Sequence, residues 1–121
     1  MRILGFSRKW QKLSNPEFTT FRYPRSDFDW YVGEQVRIII QPHRKGGGEV
    51  LGIAEVINKE IRELDKEYYE AQEGVPLITE TEAIADGFSS IDDMVNWLEK
   101  TYGRLDFVPR MNKLTLRFID G

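Results

Sequence analysis

The side chains best equipped for chemistry lie near the N-terminus. Phe6-Ser7-Arg8-Lys9-Trp10-Gln11-Lys12 and the stretch Phe18 to Arg25 interleave cationic groups with aromatic rings. Nucleic-acid sites need cations against phosphate and flat rings against bases, and readers of single-stranded RNA use both. Arginine also stacks and forks onto phosphate as lysine does not. Phe6, Phe18 and Phe21 are expected in the core. Trp10, set among Arg8, Lys9, Gln11 and Lys12, is then the ring expected to face a ligand.

Other chemistry is poorly provided for. The chain has no cysteine and one histidine, His43, which excludes disulfides, thiolate zinc sites and cysteine nucleophiles and removes most hydrolytic triads and imidazole metal sites. No phosphate-binding Gly-Lys-Ser/Thr loop is present, and Gly46-Gly47-Gly48 lies between two strand patterns, as a hairpin tip does. His43, in that basic tip, reads as a surface residue. Pairs such as Glu60/Glu63 and Glu80/Glu82 read as solvated surface at this density of acids. No metal and no cofactor are expected.

The 121 residues fit one domain, 1–121, within the usual range of roughly 100–150 residues. A 40% hydrophobic and 31% charged composition is that of a soluble globular chain. An apolar run such as Ile38 to Ile40 is too short to cross a bilayer. Met1-Arg2-Ile3-Leu4-Gly5 lacks the pattern of a secretory signal, so a cytoplasmic location is expected. The net charge of −3 divides unevenly: residues 1–45 hold 9 basic and 4 acidic side chains (+5), residues 46–101 hold 4 and 14 (−10), and residues 102–121 hold 4 and 2 (+2). Such blocks bear on partners more directly than the mean does.

The elements that must position these groups are mostly strands. Alternation marks Arg2 to Phe6, Phe18 to Tyr23, Gln35 to Ile40, Glu49 to Ile57 and Lys113 to Ile119. Period 2 places Phe18, Thr20 and Arg22 on one face of the second strand. Ile91, Met94, Val95, Leu98 and Tyr102 form a helical stripe behind a Ser90 N-cap, with Gly103 as its stop. Thr79 and Glu82 form a capping box for a short helix ending near Asp86-Gly87. Lys59 to Glu73 is highly charged and fits either a helix or a strand running into a loop. An α+β fold follows, built as a small barrel of five or six strands with two or three helices.

Taken in order, Phe6-Ser7 with Trp10, Phe18-Thr19-Thr20-Phe21-Arg22, Trp30-x-Val-Gly33-Glu34-x-Val36, Leu51-Gly52-Ile53-Ala54-Glu55-Val56 and Asp86-Gly87-Phe88-Ser89-Ser90 resemble an ASCH-domain protein of the PUA-like superfamily. The resemblance covers nearly the whole chain and implies a barrel with a cleft beside the second strand that binds RNA or a nucleotide. The family signature Gly-x-Lys-x-x-Glu-x-Arg reads here Asn15-Pro16-Glu17-Phe18-Thr19-Thr20-Phe21-Arg22, so Arg22 alone inherits a cleft role directly. Some bacterial ASCH proteins are amidohydrolases acting on N4-acetylcytidine through a lysine, a threonine and a glutamate. Thr20 matches that threonine, two residues before the arginine, while Glu17 stands at the lysine position.

The expectation is thus a module that binds RNA or a nucleotide-like ligand in a basic cleft, without a membrane partner. Arg8, Lys9 and Arg25, with Lys12, would engage phosphate, and Trp10 would stack a base. Thr20 and Arg22 would hydrogen-bond to base edges or sugar, and Asp86 would accept from a base or fix a cleft arginine. The alternative is an amidohydrolase with Thr20 as nucleophile and a base lysine arriving from the preceding loop, Lys9 or Lys12. A third reading makes the acidic 46–101 face a protein-binding surface.

Overall fold

A computed structural model describes residues 1–64, 75–102 and 110–119. Five strands form one mixed sheet: β1 (Arg2–Phe6), β2 (Glu17–Arg22), β3 (Gln35–Ile40), β4 (Glu49–Glu63) and β5 (Arg110–Phe118), in the order β1-β3-β4-β5-β2. β1 runs parallel to β3, and the other neighbouring pairs are antiparallel. Two helices, α1 (Glu80–Asp86) and α2 (Ile91–Tyr102), follow β4, and a 3-10 turn (Gln11–Ser14) links β1 to β2.

The strand alternation read from the sequence is present, and β4 is longer than expected. Lys59 to Glu63 continue the strand, because their charges find partners: Arg62 and Lys113 both pair with Glu82 of α1, at 3.2 and 2.8 Å, and with Glu60, at 3.0 and 3.6 Å. The rest of the ambiguous stretch, 65–73, lies outside the described residues, as does Gly103. The Thr79/Glu82 capping box is formed, with both reciprocal hydrogen bonds at 3.1 Å. Gly87 ends α1 in the left-handed region at φ 118°. Ser90 Oγ accepts from the Asp93 amide at 3.0 Å, as an N-cap does.

The expected closed barrel is corrected to an open sheet. β1 and β2 are the two edges, and among the described residues no backbone ladder joins them. They meet instead through side chains: the Phe6 and Phe18 rings lie 6.0 Å apart and edge-on, and the Arg22 guanidinium sits 4.6 Å from the Phe6 centroid.

Two hydrophobic cores result. One lies on the face carrying Leu4, Phe6, Phe18, Val36, Ile38, Leu114 and Leu116, and the other joins Phe21 and Met111, from the opposite face, to Phe88, Met94 and Leu98 of the helical layer. Trp10 packs against both.

The long connection between β2 and β3 is clasped by Asp29. Its carboxylate accepts from Asn112 Nδ2 at 2.9 and 3.1 Å, the Arg25 amide at 3.1 Å and the Trp30 amide at 2.9 Å, and pairs with Lys59 at 3.0 Å. Burial alone would raise its pKa. The hydrogen bonds from the Arg25 amide, Lys59 and Asn112 outweigh burial and bring it from 3.8 to about 2. A carboxylate with a depressed folded pKa adds stability that is complete above its unfolded pKa and is lost as pH falls through the folded value. Asp29→Asn is therefore expected to lower stability at pH 7 by about 1–2 kcal/mol, allowing for partial solvent screening. Urea unfolding at a series of pH values should show the difference from wild type shrinking between about pH 4 and pH 2. A difference independent of pH would contradict the clasp.

Candidate ligand cleft at the open edge of the sheet

The seam between β1 and β2 opens into a cleft of about 360 Å³. β1 contributes Gly5 and Phe6 with Ser7 beyond it, β2 contributes Thr20, Phe21 and Arg22, and the 3-10 segment contributes Trp10 and Lys12. Asp86 and Phe88 come from the end of α1, and Trp97, Leu98 and Thr101 from α2. The volume falls within the range of about 300–1,000 Å³ typical of small-molecule sites.

The polar floor is a connected set. Lys12 Nζ donates to Asp86 Oδ1 at 2.6 Å and to the Thr19 carbonyl at 2.7 Å, and both charged side chains are more than nine-tenths buried. An ammonium carries three donors, and the third has no hydrogen-bond partner among the described residues. Burial pushes the Lys12 amine down in pKa and the Asp86 carboxyl up, while their mutual attraction opposes both shifts. Arg22 Nε donates to Thr20 Oγ1 at 3.2 Å, so the face shared by these residues through period 2 becomes a bonded pair.

The walls are aromatic. Trp10, Phe88 and Trp97 pack mutually, with centroids 5.3, 6.3 and 5.9 Å apart. The Arg8 guanidinium lies 3.6 Å from the Trp10 centroid and covers that part of the ring. A Cβ at Gly87 would come within 2.7 Å of the indole, so glycine's freedom at φ 118° and its lack of a side chain are both used there.

The expected site residues divide clearly. Trp10, Lys12, Thr20, Arg22 and Asp86 share this cleft. Asp86 pairs with Lys12, and the Arg22 charge acts on its carboxylate as well. Arg25 lies outside it, beside a second cavity, where it pairs with Asp27 at 2.9 Å. Lys9 lines neither of these two cavities and pairs with Glu49 at 3.3 Å. Glu17, which the resemblance would set at a lysine position, lies outside the cleft and pairs with Arg117 at 3.2 Å. The cleft's amine comes instead from Lys12.

Sequence reading quotes Phe88 in the Asp86-Gly87-Phe88-Ser89-Ser90 motif without a role in the site, and it does not single out Trp97. Trp97 falls outside the Ile91/Met94/Val95/Leu98 stripe, and an aromatic residue off the buried face was the available signal. Among the described residues no group of three His, Asp or Glu side chains converges to hold a metal ion. No helix among them is long and apolar enough to cross a membrane.

Removing one partner of the buried pair should be costly. Lys12→Met is expected to destabilise the fold by about 3–5 kcal/mol at pH 7, because it leaves Asp86 charged and buried. An acid with a raised folded pKa carries its penalty above that pKa and sheds it as pH falls, so the variant should recover part of the loss toward about pH 4. The double variant Lys12→Met/Asp86→Leu should lose less than the two single losses added together. Urea unfolding measures all three. Additive losses without pH dependence would show that the pair is uncoupled.

In comparisons with known proteins, no family model, no curated protein and no solved structure matches this chain.

Proposed function

We propose that the chain is an ASCH-like, PUA-like module that binds a nucleotide unit, from RNA or free in solution, in the cleft between β1 and β2. The observation that carries this reading is the meeting of a buried polar floor and an aromatic wall in one cavity. Lys12, Thr20, Arg22 and Asp86 line the same space as Trp10, Phe88 and Trp97. A nucleobase needs both: a flat apolar surface for its ring and a few directed donors and acceptors for its edge.

Each group has a role in this reading. Arg22 and the remaining Lys12 donor face carbonyl or ring-nitrogen acceptors, and Thr20 offers a hydroxyl that both donates and accepts. Arg8 stacks on the ring of Trp10, and in this reading its guanidinium turns from the ring to the ligand's phosphate. Arg22→Ala is expected to weaken binding of a mixed-sequence single-stranded RNA about tenfold, the loss of one charge-assisted hydrogen bond. If Arg22 also contacts phosphate, the slope of log affinity against log salt drops by about 0.7. Titration at two salt concentrations measures both, with circular dichroism as the check of folding. Affinity unchanged by the substitution, or independent of salt, would reject the reading.

One observation favours a second reading, hydrolysis of an amide on a modified nucleoside. Lys12 brings a buried amine, pushed toward its neutral form, to the cleft that Thr20 also lines. A threonine hydroxyl needs such a base to become a nucleophile. N4-acetylcytidine and water would then yield cytidine and acetate. Purified protein should release acetate, and Thr20→Val should abolish the release while remaining folded. Absence of acetate from the wild-type protein would end this reading.

A further inference from the structure

Gly5, Phe6, Ser7 and Arg22 line not only the cleft but also a second, wider cavity of about 810 Å³ on its far side. The two spaces therefore share a wall at the end of β1. The second is bounded by Arg25 and by the tip of the β3–β4 hairpin, His43 and Arg44. Among the described residues no carboxylate lines it.

The hairpin tip is folded toward this cavity by its backbone. The Gln41 amide donates to the Phe6 carbonyl at 2.7 Å, and Gln41 adopts φ 50°, which turns the chain out of β3. Successive turns close from Arg44 N to the Gln41 carbonyl at 3.0 Å and from Gly47 N to the Arg44 carbonyl at 2.8 Å. Pro42 packs so closely over Gly5 that a Cβ there would come within 2.7 Å of the proline ring. The tip is thus docked on β1, beside the strand end that both cavities share.

We propose that this second cavity is a phosphate subsite, taking the phosphate of the nucleotide whose base enters the first cleft, with Arg25, His43 and Arg44 as its donors. Guanidinium forks match phosphate oxygens in shape as well as charge. Arg25 is held at rest by Asp27, but both side chains of that pair are largely exposed, at 42% and 63%, and such a pair gives way readily to a better anion. Among the described residues the acidic 46–101 block supplies none to this cavity, whose charged lining, Arg22, Arg25 and Arg44, comes from the positive N-terminal block. The subsite rests on the reading of the first cleft as a base site. It goes further in assigning His43 and Arg44, and in requiring a phosphorylated ligand.

The test is calorimetric titration of the full chain with the four common ribonucleosides, their 5′-monophosphates and a mixed-sequence RNA hexamer. Wild type and Arg25→Ala/Arg44→Ala are compared. A phosphorylated ligand should bind wild type about tenfold or more tightly than its nucleoside. The double variant should lose that advantage and keep its nucleoside affinity. Arg25→Lys/Arg44→Lys should retain part of the gain, since charge remains without the fork. Gain with both monophosphate and hexamer identifies a terminal phosphate as sufficient, and gain with the hexamer alone identifies the phosphodiester of an RNA strand; both outcomes support the subsite. Nucleosides that bind with no gain from phosphate, a gain that survives the double variant, or a double variant that also loses nucleoside affinity would each overturn the subsite while leaving the base cleft standing. Binding of none of these ligands would overturn both.

Discussion

The Lys12–Asp86 ion pair is the contact on which the rest of the cleft depends. It reaches across 74 positions of sequence to tie the 3-10 turn after β1 to the last residue of α1. The same amine holds the Thr19 carbonyl of β2. Three elements that would otherwise meet only through apolar packing are thereby set in one register. Two charges have been taken out of water for this, and the cost of that desolvation is offset only while both partners stay in place. The geometry of the polar floor is therefore an all-or-none property.

Failure of the sheet to close provides the space. A closed barrel would fill its interior with side chains. Here β1 and β2 remain unpaired edges, and Phe6, Phe18 and Arg22 occupy the gap between them. Exposed edges invite pairing with other chains. The cleft side of this seam is covered by the 3-10 segment and by α2, so the opening leads into a pocket rather than to an unprotected strand. Trp10 belongs to both hydrophobic cores and joins the sheet layer to the helical layer at this point.

Much of this was legible in the residues. Gln35 to Ile40 reads as a strand because Val36, Ile38 and Ile40 alternate with Gln35 and Arg37, and the strand has those bounds. Thr79 and Glu82 announce a helix start through a reciprocal hydrogen-bond pattern that needs no tertiary context. Thr20 and Arg22 share a face by strand period alone. What was not legible depended on distant partners. Lys12 sits among polar neighbours, and nothing local distinguishes a solvated lysine from one that Asp86 will bury. The charged end of β4 reads ambiguously for the same reason, because Glu82 and Lys113 come from elsewhere in the chain. Barrel closure was expected from strand count, whereas whether β1 and β2 pair is a long-range matter that strand count and alternation do not encode.

Gly87 lies against the Trp10 indole and does not itself line the cleft. The indole rests against bare backbone there, so its position is gauged by the thickness of residue 87. Any side chain at that position would have to displace the ring, and the cleft that the ring lines would change shape with it. The shape of the cleft is then governed in part by a residue that does not line it. Shape and chemistry are in this way carried by separate positions: one can be altered while the polar floor of Lys12, Thr20, Arg22 and Asp86 stays as it is.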